Sequence, residues 1–302
     1  MNTSCVKKSR NNFRLLPPII LLCLLLTACF LAVDLSIVRS VAGADTVIRE
    51  TTDPLRYQGG LRNSPDAKKL EPKQLDCLLK SLSEKTGYEG MHFDENGFLN
   101  LGDRTQFNGG SETARALLAN AVDSNRGIDL ENHNHSAKVA FARLERSTVY
   151  ESRATGKRID VYPLQIDFSD FYKLRGDKKV IAAFDVGFVL MHELGHAILG
   201  LRDPVNDTDG PGECEEFINR IRRELKLPER QNYIARTRTL PYVPSTGTRE
   251  HAELTFIHQG QTSGNDKTQS FSLLWEASAV GPIRTVAPSP PKGNIARTAA
   301  AY

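Results

Sequence analysis

The sequence carries little net charge and few cysteines beyond its N-terminus. Its 39 Lys and Arg residues nearly balance its 36 Asp and Glu residues, which leaves a net charge of +3. The basic residues are scattered among acidic ones, so no nucleic-acid partner is predicted. Only Cys77 and Cys214 lie after residue 30, which excludes a disulfide framework and a CxxC metal site. These two cysteines either form one bridge or remain two buried thiols.

An uncharged run from Leu15 to Val33 follows four basic residues near the N-terminus. This order is typical of an export signal. Three fates are open: a lipobox with Cys29 as the lipidated residue, cleavage after the AGA sequence at 42–44, or an uncleaved membrane anchor. In each case the chain after about residue 45 is exported. The predicted location is therefore extracytoplasmic, either secreted or attached to the membrane through the N-terminal segment.

Four regions are predicted along the chain: a signal, lipoprotein or anchor segment (1–44), a linker with a short helix (45–110), an α+β domain (111–243) and a weakly ordered tail (244–302). The short helix is expected to end at Gly87. Asn96-Gly97 is a hairpin signal. Ser111 is the expected N-cap of the first helix in the α+β domain.

Two segments rich in Val, Ile and Tyr predict strands at 147–152 and 158–168. Pro163 lies in the second segment, and proline is typical of an edge strand because it cannot donate a ladder hydrogen bond. The apolar segment 179–201 predicts one long helix. A further helix is predicted at 212–230, with Pro228 as its end.

The second half of the long helix contains an HExxH pattern, His192-Glu193-Leu194-Gly195-His196. At about 100° per residue, His192 and His196 lie on one side of the helix, opposite a stripe of leucines. Two histidines one turn apart are typical metal ligands, and a catalytic zinc ion takes a third protein ligand while leaving one position for water. Glu193 is the expected general base, which takes a proton from the zinc-activated water. Gly195 predicts that another segment packs closely against the helix.

Three classes of third ligand are open to a catalytic zinc site of this kind. The pattern HExxHxxGxxH would place a third histidine where Arg202 stands, and both Gly200 and Asp203 lie one residue too late for it. An aspartate is a second class, with Asp203, Asp207 and Asp209 as candidates. Their segment, RDPVNDTDGPG, is more typical of a turn-rich loop.

A glutamate on the next helix is the third class. Glu216 points away from the apolar face of that helix and has ion-pair spacing to Arg220 and Arg223, so it is expected to be structural. Glu213 and Glu215 each lie about 100° from the centre of the apolar face, on opposite flanks. Periodicity does not choose between these two residues.

The HELGHA segment together with the run NRIRRELKLPERQNY, Asn219–Tyr233, resembles the NleD-like effector zinc metallopeptidases. The resemblance covers roughly residues 110–235. In that family a Gly-Glu pair precedes the run by a few residues, which matches Gly212-Glu213. The resemblance therefore implies Glu213 as the third zinc ligand beside His192 and His196.

The same resemblance implies a minimal zincin-like domain, in which a small twisted sheet packs on the HExxH helix and on the following glutamate helix. In such a fold a substrate peptide adds as an extra strand to an edge strand above the active-site helix. The strand around 159–168 is the expected edge. Tyr233 has two interpretations, as a donor to the developing oxyanion or as a packed residue at the junction of helix and loop.

These features predict an exported zinc metallopeptidase that hydrolyses an unidentified peptide or protein substrate, with Zn²⁺ as cofactor. One alternative is a non-catalytic envelope protein with a closed structural zinc site, in which Cys214 joins the two histidines. Another is a zinc amidase acting on cell-wall peptide. His133 and His135 beside Glu131 are interpreted as a polar exposed turn rather than a metal site.

Overall fold

A computed structural model describes residues 38–40, 47–206, 210–241, 248–260, 267–282 and 285–286. The predicted signal or anchor run, Cys29 and the AGA site at 42–44 lie outside the described residues, as do Asp207 and Asp209. The unit described below begins at Val38.

Helices and strands alternate irregularly along the chain, so the α+β fold class is confirmed. In chain order the elements are β1 (Val38–Ser40), β2 (Val47–Thr51), a 3₁₀ turn (Pro54–Tyr57), β3 (Gly60–Asn63), α1 (Pro72–Thr86), β4 (His92–Phe93), β5 (Leu99–Asn100), α2 (Glu112–Val122), β6 (Gly127–Asn132), β7 (Ala142–Leu144), β8 (Thr148–Ser152), β9 (Arg158–Ile166), α3 (Phe168–Phe171), α4 (Lys178–Ala182), α5 (Val186–Leu194), a π-helical turn (Gly195–Leu199), α6 (Gly212–Glu224), β10 (Glu229–Arg230), β11 (Ala235–Pro241), β12 (Thr248–Gly260), β13 (Lys267–Glu276) and β14 (Thr285–Val286).

Local sequence signals account for several of these boundaries. Helix α1 ends at Gly87, whose φ of +74° is the left-handed conformation that glycine adopts without steric cost. Ser111 begins α2, and its side chain accepts a hydrogen bond from the N–H of Ala114. Strands β4 and β5 form the predicted hairpin, with Gly97 at φ +82° in the turn. These predictions are confirmed because each depends on only a few neighbouring residues.

The larger sheet has seven strands in the order β1-β2-β8-β9-β6-β3, with β7 also paired to β9. Strands β3, β6 and β9 are parallel, whereas β7 and β8 run antiparallel to β9. Helices α1, α2, α5 and α6 share one hydrophobic core with this sheet. Its fully buried members include Leu61, Leu78, Leu82, Leu118, Leu130, Leu164, Leu190, Leu194 and Ile218.

The prediction that the 158–168 strand is an edge strand is wrong. Strand β9 pairs with β6 on one side and with β8 and β7 on the other, so it is central. Pro163 is tolerated because its carbonyl accepts from the N–H of Glu145, in the short connection between β7 and β8. The N and the C=O of one residue face the same side of a strand. The missing N–H of Pro163 therefore faces a gap in the ladder rather than a partner strand.

The prediction of a weakly ordered tail after residue 243 is also wrong for the described residues. Strands β12 and β13 form a ten-residue antiparallel pair within a second, five-stranded sheet. Ala252, Leu254 and Phe256 are buried along β12, and Trp275 is buried on β13. Apolar residues alternate with polar ones there, so mean hydropathy stays low although one face of each strand is in a core.

The predicted domain boundary at residue 110 does not separate two packing units. Strand β3 and helix α1, both assigned to a linker region from the sequence, contribute Leu61 and Leu78 to the same core as α5. The two regions fold together because α1 packs directly against α2 and α5.

The predicted long helix at 179–201 is interrupted. Helix α4 ends at Ala182, and Asp185 begins α5 by accepting hydrogen bonds from the N–H groups of Gly187 and Phe188. Asp185 also forms a salt bridge of 2.6 Å with Lys85. Within the described part of the chain, residues 178–199 alone have the length and apolar character of a membrane-spanning helix, and 67% of an apolar 18-residue window in that stretch is buried inside the protein. Its apolar composition is accounted for by core packing.

Candidate metal centre

The HExxH segment lies on α5 and continues into the π-helical turn. At Gly195 a Cβ atom would lie 2.8 Å from Sγ of Cys214 on α6, closer than real Cβ contacts occur. The sequence-based expectation of a close helix contact at Gly195 is therefore confirmed, and Cys214 supplies that contact. Gly195 lets α6 approach the helix that carries the histidines.

The chain reverses direction directly after His196. Gly200 adopts φ +68°, and its N–H donates to the carbonyl of His196. A π-helical turn contains one more residue than an α-helical turn and is frequent at functional sites. Gly200 and Asp203 each lie one residue later than the glycine and the third ligand of the pattern HExxHxxGxxH. The π-helical turn takes up this additional residue, so the loop returns to the histidines.

Asp203 is the residue that this loop brings to the two histidines. Its Oδ1 lies 3.1 Å from Nε2 of His192, and its Oδ2 lies 3.4 Å from Nε2 of His196. The two histidine Nε2 atoms are 3.2 Å apart. Asp203, interpreted from the sequence as part of a turn-rich loop, is therefore at the centre of the site, and that interpretation is corrected.

The separations between these three groups fit a metal ion. A tetrahedral ion with bonds of about 2.0–2.1 Å to nitrogen and oxygen separates its ligand atoms by about 3.3 Å. Oδ1 of Asp203 is buried and has no hydrogen-bond partner among the described residues. A buried carboxylate oxygen normally has a partner, so this oxygen, 3.1 Å from Nε2 of His192, fits the role of a metal ligand.

The orientation of His196 is set by the chain that follows it. Its Nδ1 lies 2.7 Å from the carbonyl oxygen of Leu201 and donates to it. This bond places the ring proton on Nδ1 and leaves the lone pair of Nε2 for a metal ion. Burial alone would lower the pKa of His196, but the Asp203 carboxylate outweighs burial and raises that pKa to about 10.

Glu215 supports the other histidine from behind. Its Oε2 lies 3.4 Å from Nδ1 of His192, and its side chain also bonds to Arg222 and Arg230. Burial by itself would raise the pKa of Glu215, but the two guanidinium groups hold that pKa well below its usual range. Glu215 is therefore a charged carboxylate in contact with His192, and carboxylates commonly lie behind metal-binding histidines.

Replacing Glu215 by glutamine is expected to destabilise the fold by about 3–5 kcal/mol, because two buried guanidinium groups lose their counter-charge. The matched control is Glu216→Gln, since Glu216 pairs with Arg223 at the surface with both side chains about half exposed. That change is expected to cost less than about 1 kcal/mol. Urea unfolding of both variants measures the difference. Equal midpoints would show that the buried network does not stabilise the fold.

The structure does not bring Glu213 to the histidines. Its side chain is exposed, and its Oε2 accepts a hydrogen bond of 3.1 Å from the N–H of Arg202. The expectation of Glu213 as third ligand is therefore corrected. Helix α6 turns the flank that carries Glu215 toward the site, so Glu215 lies beside His192. Glu216 forms the predicted surface ion pair with Arg223.

Cys214 lies at the same centre. Its Sγ and the ring nitrogens of His192 and His196 all lie within 4.8 Å of one another, so this group of three can hold a metal ion. The thiol donates to the carbonyl of His192 at 3.1 Å. Cys77 is exposed, and both cysteines are free thiols, so the alternative of one disulfide bridge is excluded.

Glu193 lies between the metal centre and the sheet. Its Oε2 accepts a hydrogen bond of 3.0 Å from the N–H of Leu144 on β7. Burial raises the pKa of Glu193 above its usual value. Among the described strands β7 pairs with β9 alone, and the Leu144 N–H points away from β9. The strand beside the active-site helix is therefore β7, rather than the predicted strand at 159–168.

Tyr233 closes the site opposite α5. Its hydroxyl donates to Oδ2 of Asp203 at 2.7 Å, and its ring stacks on the ring of His192 with the centroids 5.7 Å apart. Burial raises the pKa of the hydroxyl, which stays protonated and so remains a hydrogen-bond donor. Neither sequence-based interpretation describes this arrangement fully, because Tyr233 is packed and also bonded to Asp203.

The histidine-rich turn at 131–135 lies outside this centre. His133 forms a contact of 3.0 Å with Glu131, and Nζ of Lys68 is 3.5 Å from the same ring nitrogen. In the described ranges, the only group of three or more potential ligands close enough to share an ion is the one at His192. The predicted polar exposed turn is confirmed only for Asn134 and His135, because Glu131 lies on β6 and the side chains of Glu131 and His133 are each 15% exposed.

Comparisons of the chain with protein-family models, with curated proteins and with solved structures found no match.

Proposed function

We propose that the protein is a zinc-dependent peptidase in which His192, His196 and Asp203 hold the metal ion. The observation that carries the proposal is the convergence of two imidazole Nε2 atoms and one carboxylate at 3.1–3.4 Å, with Glu193 adjacent. A catalytic zinc ion typically has three protein ligands, drawn from histidine and carboxylate side chains, and its fourth coordination position is kept for water. The proposed fold is a zincin-like domain, with Asp203 in place of the glutamate ligand that the NleD-like resemblance implies.

The remaining residues have separate roles in the proposed reaction. Bound zinc supplies Lewis-acid chemistry, which makes water a better nucleophile and polarises a carbonyl group. Glu193 accepts a proton from the attacking water and returns it to the leaving amine. Glu215 orients His192, and the Tyr233 hydroxyl holds Asp203 in position.

Strand β7 is the proposed docking edge for the substrate backbone. The N–H of Leu144 faces away from β9, and its carbonyl faces the same side. The Leu144 N–H already bonds to Glu193 and the Ala142 N–H to the Ala140 carbonyl, so an extended peptide along this side would donate to the outward carbonyl of Leu144 and pass beside Glu193. A peptide or protein substrate is therefore favoured over a small molecule.

Zinc removal tests the proposed function. The purified protein is expected to contain about one zinc ion per chain and to cleave members of a diverse peptide library, and a chelator is expected to abolish cleavage reversibly. Far-UV circular dichroism after chelation should be unchanged, since a catalytic ion is not required for folding. The proposal fails if the purified protein binds no zinc or if cleavage persists in the zinc-free protein.

A closed structural site is the second candidate function, and the proximity of Cys214 favours it. A structural zinc ion contributes directly to folding. Chelation would then unfold the protein, and Cys214→Ser would reduce zinc affinity as strongly as loss of a histidine. The hydrogen bond from the thiol to the His192 carbonyl supports the open site instead, because it directs the thiol to the helix backbone.

Zinc binding is expected to weaken as the pH falls. Metal ligands must lose their protons, and Asp203 raises the pKa of His196 to about 10, so zinc displaces protons throughout the neutral range. The apparent Kd should rise about tenfold per pH unit for each proton displaced, between about pH 8 and pH 6. Calorimetry in buffers of different ionisation enthalpy counts these protons. Binding without proton release would contradict the ligand assignment.

Export of the protein is a further part of the proposal, and it rests on the basic and apolar N-terminal sequence alone. In that setting the substrate would be an extracytoplasmic peptide or protein. Fractionation of cells that express the full chain measures its location.

A further inference from the structure

A cavity of about 580 Å³ adjoins the metal centre. His192, Glu193 and Tyr233 line the wall that faces this centre. Cavities of this size are typical of ligand pockets. The cavity extends from the metal centre to the second sheet, so the C-terminal strands β11, β12 and β13 form its far wall through Ala235, Leu254 and Trp275.

The walls of the cavity are mainly apolar. Phe184, Phe188 and Val189 come from the helix side, Ala140, Phe141 and Ala142 from the segment that enters β7, and Leu254 and Trp275 from the second sheet. Phe141 meets Phe184 and Trp275 edge to face, with ring centroids 5.1 and 5.4 Å apart. These contacts pack the aromatic walls against one another.

The charged residues of the cavity are unfavourable for a cationic ligand. Four lining residues are basic (Lys138, Arg143, Arg222 and Arg230), whereas only Glu193 and Glu215 are acidic. A lysine or arginine side chain would enter against this excess of positive charge and would lose its hydration there.

Three of the four basic side chains already have acidic partners: Arg143 pairs with Glu145 at 3.2 Å, and Arg222 and Arg230 share Glu215. Nε of Arg222 donates to the carbonyl of Ala183, and its Nη1 donates to Glu215 and Asn219. All three nitrogen atoms of the Arg230 guanidinium donate to Asn232, Glu215 and Tyr233. An entering carboxylate would have to compete with these bonds, so an apolar ligand fits the cavity better.

We propose that this cavity receives a bulky apolar or aromatic side chain of the substrate, from the residue next to the bond that is cut, and that it rejects lysine and arginine. This inference rests on the proposed peptidase function, because Glu193 and His192 border both the cavity and the metal centre. The second sheet thus determines substrate preference, while α5 and the loop after it supply the chemistry.

Binding of amino-acid hydroxamates to the zinc-loaded full-length protein tests the proposal without requiring turnover. The hydroxamate group chelates zinc, and the side chain probes the cavity. Phenylalanine hydroxamate is expected to bind about 10- to 100-fold more tightly than alanine hydroxamate, because its ring is removed from water. Lysine hydroxamate is expected to bind no better than the alanine compound. Isothermal titration calorimetry measures the affinities of these three compounds and of glutamate hydroxamate.

Two substitutions locate the preference. Val189 is half-buried and lines the cavity, so Val189→Phe should fill it and reduce the ratio of phenylalanine to alanine affinity to about one. Ile181→Phe is the matched control, since Ile181 is exposed and does not line the cavity, and it should leave the ratio unchanged. Ala140→Phe fills the same cavity from the opposite wall if the Val189 variant does not fold.

The outcomes separate this inference from the proposed function. Equal affinity for the phenylalanine and alanine compounds, or tighter binding of the lysine or glutamate compound, would overturn the pocket assignment alone. An unchanged ratio in both cavity-filling variants would also overturn it. Failure of every hydroxamate to bind the zinc-loaded protein would count against the proposed zinc site as well, and the peptide library then shows whether cleavage occurs at all.

Discussion

Glu193→Gln is expected to reduce peptide hydrolysis by about 10²–10⁴-fold without loss of zinc. Glutamine has nearly the same shape as glutamate, and its amide oxygen can still accept the hydrogen bond that Leu144 donates. What the variant lacks is a group that takes up a proton near neutral pH. The variant is therefore expected to have a lower kcat, because the chemical step is slowed, while KM changes little.

The measurement is kcat and KM on one peptide identified from the library, together with zinc content. Burial raises the pKa of Glu193, which places this carboxylate closer to the operating pH than a surface glutamate. A suitable control is Glu151→Gln, because Glu151 forms a surface ion pair with Arg158. Full activity of the Glu193 variant would eliminate this residue as the general base.

Asp203→Ala is expected to lower zinc affinity more than about 100-fold, which exceeds the 10–100-fold typical of a residue that only supports a ligand. Asp203 contacts both histidines, and one of its buried oxygens has no other partner among the described residues. Glu213→Ala should leave zinc affinity unchanged, because Glu213 is exposed and bonds to the backbone of Arg202.

The two variants form a matched pair, since each removes one carboxylate from the segment that follows the HExxH helix. Competition with a fluorescent zinc chelator gives both affinities on one scale. Loss of zinc in Glu213→Ala with retention in Asp203→Ala would restore the family-based ligand set. A fold check by circular dichroism separates loss of a ligand from loss of structure.

Much of the local structure could be predicted from the sequence. Helix α1 and its end at Gly87, the Ser111 cap and the hairpin at Gly97 each depend on interactions among a few neighbouring residues. The placement of His192 and His196 on one helix face depends on helical geometry alone, as does the burial of the opposite leucines. The interruption before α5 had a visible signal, since Asp185 is a typical N-cap residue.

The sequence by itself therefore determined the HExxH helix, the position of Glu193 beside the two histidines, and the apolar face of α6. These features repeat with the period of a helix, so residue spacing contains the necessary information. Residue spacing also predicts that Glu213 and Glu215 lie on opposite flanks of the apolar face of α6. It does not predict which of these flanks packs against the HExxH helix.

Only the tertiary structure decided what completes the site. Asp203 reaches the histidines because a π-helical turn and the left-handed Gly200 redirect the chain, and a backbone turn of this kind has no periodic signature. The second sheet pairs β11, β12 and β13 in sequence order, and it forms the cavity wall by packing against Phe141 and Phe184, which are distant from it along the chain. Residue spacing describes one element at a time, whereas a third ligand and a substrate pocket depend on how separate elements pack together.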